Sequence, residues 1–161
     1  DATITSATIM ILFGAANTFG RILTINRVPT MITDWMLSIT SSRAMIMLMI
    51  NIALLIIGMF LDTISSIVLF GPIFAPIAIA IGYDPLHFGI IMVINLCIGM
   101  ITPPMGGNLF VAQRVSKTSF EEIFKDTFPM IIVLYILLAL LIIFPEITMF
   151  LPKLLGYTFT G

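Results

Sequence analysis

Charge is what this sequence has least of. Asp, Glu, Lys and Arg make up only 9% of its 161 residues, against about 25% in an ordinary soluble domain. A chain this poor in charge cannot clothe a surface that faces water, whereas a surface facing lipid needs no such clothing. The 7 basic and 8 acidic residues leave a net charge of -1, so there is no basic footprint for nucleic acid. The single cysteine, Cys97, lies in an apolar run, which excludes a disulfide framework. The single histidine, His87, sits in a turn with Asp84 and Pro85 and has no second His, Cys or Glu beside it, so it makes no metal or catalytic site. The lysines stand near the ends of apolar runs. A membrane enzyme would need a Ser-Lys or His-Glu pair at depth, and no enzyme is expected. The chain begins on Asp1 without an initiator Met and is expected to be part of a longer polypeptide.

What is abundant is apolar: 60% of the residues are hydrophobic and the mean hydropathy is +1.19. Apolar runs recur near the length of about 20 residues that a spanning helix needs. Period-two alternation is not the dominant pattern, so a β-barrel is not expected. Backbone groups in hydrocarbon must then be satisfied within helices. The expected class is an all-α integral membrane protein, a multi-span helical bundle. Residues 4–24 predict a spanning helix, with Gly14 and Gly20 allowing close packing. Residues 29–41 predict an amphipathic arm in the membrane surface, with Pro29 in its first turn and Trp35 as an interfacial anchor. Residues 43–81 form two apolar runs and residues 86–115 one interrupted run. Residues 119–127 predict a second amphipathic arm, opened by a Ser119/Glu122 capping box, and residues 128–152 a last span kinked at Pro145. Asn17, Asn51 and Asn95 lie within spans and read as hydrogen-bond partners between helices. The basic residues Arg21, Arg27 and Arg43 balance Arg114, Lys117 and Lys125, so counting positive charges favours neither orientation.

Two interruptions carry the chemistry. The first is Thr102-Pro103-Pro104-Met105-Gly106-Gly107-Asn108. A helical proline lacks the N–H that would bond the carbonyl four residues back, so Pro103 is expected to free the carbonyl of Gly99 and Pro104 that of Met100. Thr102 is pushed out of the α region by the proline after it. The helix is expected to break and restart, with Thr102 as N-cap and Pro103 at the first position. Free carbonyls suit a hard cation such as sodium, and the positive end of a helix suits an anion. A kinked helix, or a surface loop between two shorter helices, fits these residues as well.

The second interruption is Leu61-Asp62-Thr63-Ile64-Ser65-Ser66. Each flanking run is long enough to span, so a plain pair of helices with an aqueous turn at Asp62 is allowed. The alternative is a re-entrant hairpin whose tip stops near the midplane, with an irregular second arm at Pro72 and Pro76. An ionised Asp at that depth costs about 2.5–3.5 kcal/mol, which a cation or a helix N-terminus would have to offset.

The same residues carry a resemblance. Gly58-Met59-Phe60-Leu61-Asp62, then Pro72 and Pro76, then Gly82-Tyr83-Asp84-Pro85-Leu86-His87-Phe88-Gly89, then Asn95, Gly99 and Thr102-Pro103-Pro104-Met105-Gly106-Gly107-Asn108-Leu109-Phe110 resemble the second half of the large membrane subunit of the tripartite ATP-independent periplasmic (TRAP) transporters. The likeness runs from about Ile4 to Leu155. It implies half of an inverted-repeat elevator transporter, with a re-entrant helical hairpin and a broken transmembrane helix in each half. It implies one sodium site made by Gly99, Met100, Thr102, Asp62, Ser65 and Ser66. Pro103, Pro104, Gly106, Gly107 and Asn108 would then be the break and hinge.

By the same likeness the function is sodium-coupled uptake of a small organic anion, such as a C4-dicarboxylate or sialic acid. Sodium is the coupling ion and no cofactor is implied. The implied partners are the N-terminal half of the same subunit, a small membrane subunit, a periplasmic substrate-binding protein and the lipid bilayer. The implied location is the bacterial inner membrane. The competing readings are an ion-coupled anion transporter of the same broad architecture without a binding protein, and a non-transporting structural subunit.

Overall fold

A computed structural model describes residues 25–40, 42–104 and 106–158, with 14, 18–19 and 21–23 besides. The expected span 4–24, with Asn17, falls for the most part outside these residues. Among the described residues the regular structure is helical, with no strand. From Val28 onward the helices are, in order, α1 Val28–Ile39, α2 Arg43–Phe60, α3 Thr63–Ala80, α4 Pro85–Gly99, α5 Gly107–Ser116, α6 Phe120–Ile143 and α7 Pro145–Leu154.

Local chemistry sets most of the boundaries. Asp62 caps α3 by accepting the Ser65 N–H at 3.0 Å. Asp84 caps α4 through the Leu86 N–H at 2.8 Å, with Pro85 opening the helix. Ser119 accepts the Glu122 N–H at 3.3 Å at the start of α6, which also has two acidic residues in its first turn. Pro145 ends α6: Phe144 before it leaves the helical region (φ -115°, ψ 77°) and α7 starts afresh at the proline.

Three expectations on local structure change. Pro72 and Pro76 do not make the second arm irregular, because α3 runs unbroken past both. A proline forfeits one helical bond, and the apolar flanks on either side keep the remaining ones. Pro129 likewise sits inside α6, so the stretches expected as a separate arm (119–127) and span (128–152) form one helix as far as Ile143. That helix then stops at Pro145 rather than kinking there. The helix of the broken stretch restarts at Gly107, not at Pro103.

Helix α4 is the centre of the packing and touches α2, α3, α6 and α7. Ile46, Ile50 and Leu54 of α2, Ile77 of α3, and Ile91 and Leu96 of α4 are fully buried in one core. Between α2 and α4, Asn95 donates to the main-chain oxygen of Asn51 at 2.8 Å and to its side-chain oxygen at 2.7 Å. Asn51 in turn donates to the Met47 carbonyl at 2.8 Å. Among the described residues α2, α3 and α6 are long and apolar enough to cross a membrane. Most of the surface of α6 is unburied, including Met130, Val133 and Ile136. In α1 it is Pro29, Thr33 and Met36 that are buried, while Trp35 points outward.

Candidate functional site

Helices α2 and α3 are joined by only two residues, Leu61 and Asp62. This short tip is brought to the break that follows α4 by one close backbone contact. A Cβ built on Gly58 would lie 2.9 Å from the Leu96 carbonyl oxygen, and one built on Gly99 would lie 2.7 Å from the Gly58 carbonyl carbon. Real Cβ atoms do not come that close, so only glycine at both positions allows α2 and α4 to cross here. Beside this crossing, the Thr63 hydroxyl donates to Met100 Sδ at 3.1 Å and lies 3.8 Å from Cys97 Sγ.

A cavity of about 290 Å³ opens between tip and break. Asp62, Phe60 and Gly58 line it from the helical pair, and Met100, Gly107 and Phe110 from the broken stretch. Two helix N-termini reach it: α3 begins next to Asp62 and α5 begins at Gly107. Such ends carry partial positive charge, while the Asp62 carboxylate carries a negative one. The cavity therefore offers something to ions of either sign.

The break itself is more tightly bonded than its two prolines suggest. The Gly99 carbonyl accepts the Thr102 N–H at 3.0 Å, and the Met100 carbonyl accepts the Asn108 N–H at 3.1 Å. Neither carbonyl is left free, which corrects the expectation from Pro103 and Pro104. Each has found a replacement donor, Thr102 in the turn after α4 and Asn108 in the first turn of α5. A carbonyl oxygen has a second lone pair, so both remain able to face a cation. Thr102 is not an N-cap: its hydroxyl turns back to the Ile98 carbonyl at 2.7 Å. Its place at the start of α5 is taken by Gly106, in the left-handed region (φ 37°, ψ 65°), where a Cβ would meet Leu109 at 3.0 Å. Asn108 joins the two broken ends through its main chain, and its side chain is exposed.

Of the residues expected to form the ion site, the cavity wall thus brings together Asp62 and Met100, and Gly107 of the expected hinge stands beside them. Gly99 and Thr102 stand in the adjoining turn, bonded to each other. Ser65 is tied to Asp62 through its main chain. Ser66 is fully buried and its hydroxyl has no hydrogen-bond partner. Thr63 and Gly58 were not singled out as site residues from the sequence. The signal for Thr63 was its place beside Asp62; for Gly58 it was the lone glycine in an apolar run.

Comparison with known proteins identifies the family. Residues 1–147 match the family described as "Tripartite ATP-independent periplasmic transporter, DctM component". The isethionate TRAP transporter permease protein DctMQ of Oleidesulfovibrio alaskensis is 45% identical over 93% of this chain and 24% of its own length. The sialic acid TRAP transporter large permease protein SiaM of Vibrio cholerae is 37% identical over 95% of this chain and 36% of its own length. The C4-dicarboxylate TRAP transporter large permease protein DctM of Pseudomonas aeruginosa is 39% identical over 92% of this chain and 35% of its own length. The chain therefore spans between about a quarter and about a third of these relatives. With a family match over nearly its whole length, it belongs to the DctM component family of the TRAP transporters.

Proposed function

We propose that this chain supplies one half of the ion and substrate site of a sodium-coupled transporter for a small organic anion. The observation that carries this is the cavity between Asp62, Met100 and Gly107, where a helix tip meets a broken helix. Broken helices inside a membrane protein are tolerated where they line a cavity, and in transporters they mark the binding site. The residues fit a sodium ion. Asp62 and the hydroxyl of Ser66 would supply oxygen from the tip, the latter being buried and without a partner. The second lone pairs of Gly99 and Met100 and the hydroxyl oxygen of Thr102 would supply the rest. Ser65 holds Asp62 in place. The N-termini of α3 and α5 would face the anion.

In this reading α2 and α3 are a re-entrant hairpin, and hairpin and break move together as the mobile part of an elevator. A matching half of the same polypeptide completes the site. A small membrane subunit and a periplasmic binding protein complete the transporter, in the bacterial inner membrane. Relatives named for isethionate, sialic acid and C4-dicarboxylate support an organic anion as substrate.

The test is uptake by the reconstituted full-length transporter across a sodium series, with folding of each variant checked separately. Thr102→Ala and Asp62→Ala each remove one oxygen group, and a bond to a charged partner is worth about 1.5–3 kcal/mol, so the sodium half-saturation should rise roughly tenfold or more. Pro103→Ala should act in the same direction by letting α4 continue past its end. If all three keep the parent's half-saturation and stoichiometry, the ion site is elsewhere.

A further inference from the structure

The helical pair has a second cavity at its other end, where α2 begins and α3 ends. It measures about 690 Å³. The 18 residues of α2, rising 1.5 Å each, set it about 27 Å from the Asp62 tip. Its wall holds two cationic side chains, Arg43 and Lys153, two phenols, Tyr83 and Tyr157, and the pair Asp84 and His87. Arg43 lies there because residue 82 is glycine: a Cβ at Gly82 would meet the guanidinium at 3.1 Å, and its φ is +87°. Asp84 is already engaged. Its Oδ1 accepts from the Leu86 N–H and, at 3.4 Å, from the Tyr157 hydroxyl. Two cations against the one carboxylate of Asp84 leave the wall net positive, so its preference is for an anion. Burial pushes the Tyr83 phenol up, so Tyr83 stays a neutral hydroxyl.

His87 Nδ1 lies 2.6 Å from Thr148 Oγ1, and its Nε2 is buried. Helix α7, which supplies Lys153, also exposes Phe150, Leu151 and Leu154. Polar head and apolar tail are thus both provided for along one short helix.

We infer that this cavity binds the headgroup of a bilayer phospholipid, its phosphate paired with Arg43 and Lys153. Arginine and lysine are the natural phosphate partners. Free inorganic phosphate shares the anionic chemistry but has no tail for α7.

The experiment uses the full-length transporter, delipidated in detergent and titrated by native mass spectrometry with a dioleoyl phospholipid and with dioleoylglycerol, which has the same tails and no phosphate. The phospholipid should bind about tenfold tighter than dioleoylglycerol. The double variant Arg43→Gln/Lys153→Gln should lose that binding about tenfold or more, and millimolar inorganic phosphate should not displace the lipid. Equal binding of the two lipids overturns the inference, as does displacement by inorganic phosphate or a double variant that binds like the parent. Should the double variant fail to fold, the comparison of lipids on the parent protein decides alone.

Discussion

Gly58 and Gly99 touch through their main chains, with no side chain between them. The contact fixes how far the helix tip stands from the break, and so the width of the cavity both of them line. Gly99→Ala places a methyl group inside the van der Waals radius of Gly58. Overpacking of this kind costs about 1–3 kcal/mol. We expect a lower melting temperature for Gly99→Ala and for Gly58→Ala, and weaker sodium dependence in whatever protein remains folded. A variant with the parent's melting temperature would show that the two helices do not meet in this way.

Asp62 has two separable roles, as N-cap of α3 and as the negative charge of the cavity. Asp62→Asn and Asp62→Ser keep a cap but remove the charge; Asp62→Ala removes both. Loss of the cap costs about 1 kcal/mol. We therefore expect only the alanine variant to melt lower, and all three to need more sodium for half-maximal uptake. If the asparagine and serine variants transport with the parent's sodium dependence, Asp62 is a cap and nothing else.

Ser66 gives the sharpest contrast. An unsatisfied buried hydroxyl costs about 1–3 kcal/mol, so its removal should help the fold. Ser66→Ala should melt higher than the parent in sodium-free buffer and yet bind sodium more weakly. Thermal unfolding with and without sodium reads both effects. Reduced stability together with unchanged sodium binding would mean that the hydroxyl has a packing role.

Asn95 and Asn51 bridge α2 and α4 in the core below the glycine crossing. Hydrogen bonds between membrane helices average about 0.6 kcal/mol and reach about 1.7. Asn95→Ala should lower stability by that order, and Asn51→Ala should add little more on top of it, because both act through one bond network. Additive losses in the double variant would show two independent interactions.

The elements that the sequence made legible are those decided by neighbours in the chain. Asp62, Asp84 and Ser119 each cap a helix whose first residues they precede. The interruption after Gly99 follows from Pro103 and Pro104, whatever surrounds them. What escaped was decided at a distance. Where α5 restarts depends on Gly106 adopting a left-handed backbone against Leu109 and on the Met100 carbonyl reaching Asn108. Neither follows from proline chemistry, which marks where a helix fails and not where it resumes. Pro72 and Pro76 lie in a helix that continues past them, so the irregular second arm expected from them does not occur. The meeting of Asp62 with Met100 needed the Gly58–Gly99 crossing, a pairing of two small residues 41 positions apart.

The unbroken course of α6 has a mechanical consequence. Its 24 residues make a rod of about 36 Å, a little longer than the roughly 30 Å of hydrocarbon in a bilayer. Its charges, Glu121, Glu122, Lys125 and Asp126, all fall in the first two turns, and none follows before Ile143. The rod thus carries its own waterline, just before Phe128. Any tilt of the uncharged length must swing the charged end through the headgroups, and thinner or thicker membranes will set that tilt differently. The one soft joint is at Pro129, where the Lys125 carbonyl has no helical N–H to hold it.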